Sequence, residues 1–224
     1  MHRAADGYGR GDVVVPSGST CTLEQAEVSG NLTVEADASL LGNATVGGDI
    51  VPGARATLVM SDSLIGGDVA CRGCQRIVMS FMAGIGGDLS VTGMTDGYLS
   101  WDGVSVAGSV KVTGNSGEFF FIDTLAQRNF VFADNMGVAG FWFSGAEGNL
   151  EIVRNSGEFR LESTSSGSLI FSDNDGPSEL TFNYARKHLL CFGNEPAPTG
   201  YYNEAGNSVQ GQCAVLGPDA YPED

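Results

Sequence analysis

The sequence predicts an all-β protein that folds as a parallel β-helix, a solenoid in which short strands stack from one rung to the next. Two observations lead to this fold class. Segments of alternating apolar and polar residues recur in steps of roughly 18–21 residues from position 11 to position 195, which gives about ten rungs. Turn-forming residues separate these segments, and 33 of the 224 residues are Gly. A period of about 20 residues without a sustained helical periodicity excludes helical repeats and indicates a β-solenoid.

The first predicted strand of each rung starts at a small or polar residue and continues as an alternating apolar triplet. DVVV at residue 12, NLTV at residue 31 and NFVF at residue 129 show the pattern. Alternation places every second residue on the same side of a strand, so the apolar positions are predicted to face the interior. The residues that open these segments are Asp12, Asn31, Asp49, Asp68, Asp88, Ser109, Asn129, Asn149, Ser168 and His188.

The second predicted strand follows a turn and is rich in Val, Ile, Phe and Thr, the residues that favour strands. ATLVM at residues 56–60 and EFFF at residues 118–121 are two copies of it. The outer side of this strand is expected to carry an exposed aromatic patch formed by Phe120 and Trp142. The inner side is expected to stack large side chains, namely Trp101, Phe121, Phe141, Leu161 and Phe182.

The pentapeptide Asn-Ser-Gly-Glu-Phe occurs twice, at residues 115–119 and 155–159, at the turn before the second strand. Asn recurs at this turn with a spacing of about 20 residues. Stacked Asn side chains can hydrogen-bond from rung to rung through their amides, and the Gly two residues on permits a positive φ. The sequence therefore predicts a structural ladder of Asn115, Asn135, Asn155, Asn174 and Asn194.

Charge and composition limit the partners of the chain. It carries 27 acidic and 11 basic residues, a net charge of −16. That balance repels a phosphate backbone and an anionic membrane surface, so nucleic acid is not an expected partner. Because no run of 18 apolar residues occurs, no membrane insertion is predicted. The predicted organisation is an N-terminal leader segment over residues 1–10, a β-helix over 11–195, and a C-terminal cap and tail over 196–224.

The five cysteines are assigned to two disulfides and one core thiol. Cys191 and Cys213 bracket a segment that has no repeat period and contains two Pro, which is interpreted as the cap of the solenoid. A disulfide there would stabilise the fold by roughly 3 kcal/mol through loop entropy. Cys71 and Cys74 are predicted to form a local disulfide, with two core thiols as the alternative. Cys21 is expected to be a small core residue, with an intermolecular link as the alternative.

The two ends of the chain resemble a group of secreted bacterial repeat proteins that are common in actinobacteria. The resemblance is carried by VVVPSGSTCTL at residues 13–23, by the repeated Gly-Gly-Asp elements, and by C-x-x-N-x-P-A-P-T-G-x-x-N followed by Q-C near the end. It covers most of the chain. It implies a right-handed parallel β-helix and a secreted, extracytoplasmic location. It implies no activity and transfers no functional residue to this sequence.

Enzymes that cleave acidic polysaccharides are also built on β-helices, and one column of residues is a candidate site for such chemistry. Asp134, Arg154 and Asp173 are predicted to lie on adjacent rungs at one turn, where Arg154 would be the base of a lyase. The alternative is a surface ion-pair ladder that contributes about 0–1 kcal/mol per pair. Asp173 and Asp175 are a weak candidate for binding Ca²⁺. No other metal or cofactor is predicted.

The regular step length argues against an enzyme, because clefts need long loops and these rungs leave little chain for them. The sequence instead predicts a non-enzymatic secreted or cell-surface solenoid with a structural, adhesive or ligand-binding role. The expected contact residues are Phe120, Trp142 and Arg160, and the expected partner is an extracellular glycan or an envelope protein. The alternative is a β-helix that binds or degrades acidic glycans. The sequence does not predict the oligomeric state.

Overall fold

The structure is a computed structural model, which describes residues 11–217 together with the backbone of two strands, His2–Ala5 and Tyr8–Gly9. The regular secondary structure of the described chain is almost entirely β-strand. Its one helix is a short 3₁₀ turn, Gln212–Val215. No helix in this part of the chain has the length and hydrophobicity needed to cross a membrane. The predicted tail beyond residue 217 lies outside the described residues.

The first sheet has 11 parallel strands and contains the first strand of every rung. Its strands pair with their copies one rung away, as Val110 does with Phe130. Because neighbouring strands lie about 4.8 Å apart, the sheet is a stack roughly 50 Å long. The strands are Val13–Val15, Leu32–Val34, Ile50–Pro52, Val69–Arg72, Leu89–Thr92, Val110–Thr113, Phe130–Ala133, Asn149–Val153, Ser168–Ser172, His188–Phe192 and Ser208–Gly211.

The second sheet has 20 strands, also parallel, and bends around the remaining two sides of each rung. Its long strands contain the predicted second strand. They are His2–Ala5, Thr20–Val28, Ser39–Val46, Thr57–Ser61, Arg76–Ser80, Gly97–Asp102, Ser116–Ile122, Met136–Trp142, Phe159–Glu162, Ser178–Thr181 and Thr199–Tyr201. Its two-residue strands form the third side. They are Tyr8–Gly9, Leu64–Ile65, Gly84–Ile85, Ser105–Val106, Leu125–Ala126, Gly145–Ala146, Ser165–Ser166, Tyr184–Ala185 and Glu204–Ala205.

The repeat therefore forms a parallel β-solenoid, and this prediction is confirmed. The strand pairing extends further than the predicted range of 11–195. At the N-terminal end, the strand His2–Ala5 in the predicted leader segment pairs with Thr20–Leu23. At the C-terminal end, Ser208–Gly211 pairs with His188–Cys191, so the segment interpreted as a cap begins with one more rung.

The interior is one hydrophobic core made of stacked columns. In the long strands, Trp101 and Phe121 contact edge to face with ring centroids 5.0 Å apart, and Phe121 stacks on Phe141 at 4.6 Å. Leu161 continues this inward column as predicted. These contacts give the second half of the rod an aromatic core.

The inward position predicted for Phe182 was wrong. Leu180 pairs with Leu161 and is fully buried, whereas Phe182 is 50 % exposed. The step between the two inward residues is 19 here, while Phe121, Phe141 and Leu161 are 20 apart. A step of 21 from Leu161 therefore passes the end of the strand at Thr181. Phe182 instead lies in the following turn with a φ of 56°.

The C-terminal end is closed by the 3₁₀ turn and the two residues that follow it. Gln212 takes the place of the next Asn above Asn194: its Oε1 accepts the Nδ2 hydrogen of Asn194 at 2.9 Å. The backbone carbonyl of Leu216 accepts from the side chain of Asn203 at 3.0 Å. Polar groups that would be left without partners at the last rung are thus satisfied by the cap.

Candidate functional site

The predicted Asn ladder is present and buried. In each step, the backbone N–H and Nδ2 of one Asn donate to Oδ1 of the Asn one rung further on, at 3.0 and 2.9 Å from Asn115 to Asn135. Nδ2 also donates to a backbone carbonyl, as from Asn155 to Phe132 at 3.0 Å. Each side chain is fully engaged in holding neighbouring rungs together, so the ladder is structural. Its members are Asn115, Asn135, Asn155, Asn174 and Asn194.

The Gly of the repeated Asn-Ser-Gly-Glu-Phe also has a structural cause. Gly117 and Gly157 have φ values of 137° and 130°, which favour Gly. A Cβ at either position would overlap the backbone carbonyl of the Gly one rung earlier, Gly97 or Gly137. The Asn and Gly of the pentapeptide recur because several rungs in the second half of the rod need a buried amide at this corner and, two residues later, a residue without a side chain.

A second buried polar ladder runs along the turn after the long strands, and sequence analysis missed it. Ser144 Oγ accepts the N–H of Thr124 at 3.0 Å. Two rungs further on, Nδ2 of Asn183 donates to Oδ1 of Asn203 at 2.8 Å. Because the column mixes residue types, it does not appear as a repeated letter in the sequence. Its buried members include Ser63, Thr124, Ser144, Thr164, Asn183 and Asn203.

The Asp residues of the Gly-Gly-Asp elements form a third ladder on the outside. The backbone N–H of Asp68 donates to Oδ1 of Asp49 at 2.8 Å, and that of Asp88 donates to Oδ1 of Asp68 at 2.7 Å. A Cβ on Gly67 or Gly87 would overlap the carboxylate oxygen of the rung before. These carboxylates are therefore acceptors for the next rung, and the Gly residues give them room.

The candidate catalytic residues Asp134 and Arg154 form a bidentate ion pair. Nε of Arg154 lies 2.8 Å from Oδ1 of Asp134, and Nη2 lies 3.0 Å from Oδ2. The hydrogen bond from Arg154 lowers the pKa of the Asp134 carboxyl, and the same hydrogen bond raises the pKa of the Arg154 guanidinium. The charge of Asp173 raises the Arg154 pKa further. A guanidinium held in its charged form is a poor base.

An equivalent ion pair occurs elsewhere in the rod. Nε of Arg55 lies 2.6 Å from Oδ1 of Asp37, and both residues have positive φ values, as Asp134 and Arg154 do. This repetition at one corner is typical of a surface ion-pair ladder. For Ca²⁺, the described residues contain no group of three or more His, Cys, Asp or Glu side chains placed to hold a metal ion.

The two predicted disulfides are present. The Cα atoms of Cys71 and Cys74 are 6.0 Å apart, and those of Cys191 and Cys213 are 5.3 Å apart. The first links a strand of the first sheet to the corner where later rungs carry the Asn ladder. The second ties the 3₁₀ turn to the last full rung. Cys21 is a free, partly buried thiol whose pKa is raised by burial.

Phe120 and Trp142, predicted as an exposed pair, are in contact on the outer face of the long strands. Their rings stack with centroids 6.3 Å apart. Tyr98, which sequence analysis did not select, extends the row with its centroid 5.9 Å from Phe120, and the guanidinium of Arg76 lies 4.7 Å from the Tyr98 ring. We call Tyr98, Phe120 and Trp142 the aromatic strip.

A shallow cleft of about 240 Å³ begins where the aromatic strip ends. It contains Arg160, the third predicted contact residue, so the structure places all three predicted contact residues on one continuous surface. We call it the polar cleft, and it is lined by Trp142, Arg160, Glu162, Glu179, Thr181 and Tyr201.

Phe182 forms a wall of the polar cleft. Its ring stacks on Tyr202 with centroids 5.4 Å apart and 10° between the planes, and it meets Tyr201 edge to face at 5.4 Å. The left-handed backbone of Phe182 and Tyr202 is uncommon for aromatic residues. Sequence analysis missed this cluster because Phe182 was assigned to the core.

No family model, curated protein or solved structure matches the chain. The resemblance to secreted actinobacterial repeat proteins therefore stays a prediction from the sequence.

Proposed function

We propose that this chain is a non-enzymatic, secreted or cell-surface β-solenoid that binds an extracellular glycan through the aromatic strip. The observation that supports the proposal is the row of partly exposed rings, with centroids 5.9 and 6.3 Å apart, on the outer face of a regular sheet. Aromatic side chains usually bury most of their area in a core. Three neighbouring rings left at the surface form an apolar platform that is ready for a ligand.

A glycan fits this platform better than other partners do. The C–H face of a sugar ring is apolar and stacks on an aromatic ring, while its hydroxyl groups reach neighbouring polar side chains. Glu118 and Arg160 lie beside the strip and can bind such hydroxyls, since Glu118 is the strand partner of Tyr98 and Arg160 lines the adjoining cleft. A net charge of −16 disfavours anionic polymers.

Two further observations support the location and the non-enzymatic role. Disulfides form and persist in oxidising compartments, so the two disulfides support secretion. The residues proposed for lyase chemistry are held in an ion pair that is repeated along the rod, which supports a structural role for Arg154 and Asp134.

The proposal is tested by binding purified protein to insoluble polysaccharides and to a glycan array, with a cleavage assay in the presence and absence of Ca²⁺. The double variant Phe120→Ala/Trp142→Ala removes most of the strip. Phe192→Ala is the matched control, because Phe192 is an aromatic residue that is 48 % exposed on the first sheet. We expect the wild type and the control to bind and the double variant to lose binding, with unchanged far-UV circular dichroism.

Equal binding by the double variant would overturn the assignment of the strip. Release of unsaturated or reducing-end products, abolished in Arg154→Ala, would overturn the non-enzymatic role and favour a lyase acting on acidic glycans. Failure to bind any glycan, combined with capture of one envelope protein by the strip, would replace the glycan by a protein partner.

A further inference from the structure

We infer that the polar cleft is a subsite for one neutral or amino-sugar unit of the glycan, placed at the C-terminal end of the aromatic strip. This inference rests on the proposed glycan-binding function and names the class of sugar that the site accepts. It is carried by the register of the strands, one unused hydroxyl and the charges of the lining.

The register places an aromatic residue at each end of the cleft and polar residues between them. Trp142, Glu162, Thr181 and Tyr201 are direct partners on four successive strands. Strands are about 4.8 Å apart, so the two aromatic residues are about 14 Å apart along the solenoid axis. A sugar ring bound between them lies over the polar groups and can stack on one of the two aromatic side chains.

Thr181 is a lining residue of the cleft, and its hydroxyl forms no hydrogen bond within the described part of the chain. The residue is only 7 % exposed, yet it lines the cleft. Its backbone carbonyl accepts the N–H of Ser163. Its Oγ1 has no hydrogen-bond partner among residues 11–217. Since buried hydroxyls are normally paired, this oxygen is available to a ligand hydroxyl.

The charges of the lining select against acidic sugars. Glu162 and Glu179 both line the cleft, and the one guanidinium, Arg160, already lies 3.3 Å from Glu158 outside it. The lining is therefore acidic. Carboxylates accept strong hydrogen bonds from hydroxyl and ammonium groups and repel the carboxylate of a uronic acid.

The size of the cleft sets the extent of the ligand. A volume of about 240 Å³ is smaller than the roughly 300–1,000 Å³ of sites for drug-sized molecules, so the cleft holds one ring rather than several. The wall is held in place because Phe182 packs against both Tyr201 and Tyr202. A wall ordered before binding lowers the entropic cost of association.

The test is titration calorimetry of the full chain with four soluble oligosaccharides: cello-oligosaccharides, N-acetylglucosamine oligomers, glucosamine oligomers and oligogalacturonate. Thr181→Val removes the Thr181 hydroxyl with little change in shape, and Glu179→Gln removes one charge. Glu24→Gln is the matched control, because Glu24 is exposed on an early strand far from the cleft. Thermal melting of each variant verifies that it is folded.

We expect the wild type to bind a neutral or amino-sugar oligomer and not oligogalacturonate. Thr181→Val and Glu179→Gln are each expected to weaken that binding about tenfold, because each variant loses one hydrogen bond to a charged or buried group. Glu24→Gln is expected to retain wild-type affinity. Wild-type affinity in both cleft variants would overturn this inference and leave the strip as the binding surface. Preference for oligogalacturonate would also overturn it. Absence of binding to any oligosaccharide or polysaccharide would overturn both proposals.

Discussion

The indole of Trp142 occupies the space in which a side chain of Gly140 would lie. A Cβ on Gly140 would overlap Cζ3 and Cη2 of the ring. Gly140 is the strand partner of Phe120 on one side and of Arg160 on the other. The indole lies over Gly140 and therefore occupies the position between Phe120 and Arg160. It joins the aromatic strip and the polar cleft into one continuous surface.

Gly140→Ala is expected to displace the indole of Trp142 while leaving the solenoid intact. The backbone of Gly140 does not have the positive φ that would exclude Ala, so the free energy of unfolding should change by no more than about 1 kcal/mol. The tryptophan emission should shift to the red, and glycan binding should fall. Gly217→Ala, where a Cβ meets nothing within 4 Å, is the control. Unchanged emission and binding would show that Gly140 does not position the ring.

Asn155→Ala is expected to destabilise the middle of the rod. Asn155 donates to the carbonyl of Phe132 and to Asn174, and it accepts from Asn135, so its loss leaves several buried groups without partners. Each such group costs about 1–3 kcal/mol. The urea midpoint should fall strongly, and hydrogen exchange should rise in the neighbouring rungs. Asn207→Ala, at an exposed position, should remain within about 0.5 kcal/mol of the wild type. Equal midpoints for the two variants would contradict the ladder's role.

The Asp134–Arg154 pair is expected to give a small stability contribution that depends on pH and salt. The folded pKa of Asp134 is lowered, so its contribution is fully present above the unfolded pKa of about 3.9 and is lost as the pH falls through the folded value. The stability difference between the wild type and Asp134→Asn should therefore vanish in acid. It should also shrink at high salt, because both side chains are more than half exposed. A difference that persists in strong acid would contradict this account. Asp102→Asn, an exposed carboxylate, is the control.

Two buried serines are expected to respond to Ala in opposite directions. Ser178 Oγ has no hydrogen-bond partner in the described part of the chain, so Ser178→Ala should be neutral or stabilise by about 1 kcal/mol. Ser144 Oγ accepts from Thr124 and contacts the carbonyl of Phe121 at 3.0 Å, so Ser144→Ala should destabilise by about 1–3 kcal/mol. Thermal midpoints compare them directly. A larger loss for Ser178→Ala would show that its hydroxyl has a partner.

The sequence predicts the fold well because some columns of the solenoid carry the same residue type in successive rungs. A buried amide on Asn135 needs another amide above and below it, and this need leaves identical letters at a regular spacing. Mixed columns leave no such trace. Ser144 and Asn183 do the same work in the second ladder with different groups.

The candidate site was predicted only in part, for a related reason. Phe120 and Trp142 are large residues at outward positions of a strand whose alternation is clear, so their exposure follows from the pattern. Phe182 and Tyr201 were missed because one shortened step moved Phe182 from the strand into the turn. The polar cleft collects side chains from four successive strands. Their proximity depends on the register of each strand pair, because a shift of one residue would move the side chains of a strand to the opposite face of the sheet.

The Cys191–Cys213 bond determines how the rod would yield to mechanical tension. Hydrogen bonds between rungs run along the axis, so a pull on both termini opens them one rung at a time. Each opening would release about 20 residues, or roughly 70 Å of chain. Force applied beyond Cys213 passes through the disulfide directly to Cys191, and the chain between the two cysteines carries no load. The segment between the two cysteines, which contains Tyr201 of the proposed sugar site, is therefore expected to be the last part of the chain to extend. In single-molecule stretching, reduction of the disulfide should add one further extension step, and its absence would contradict this view.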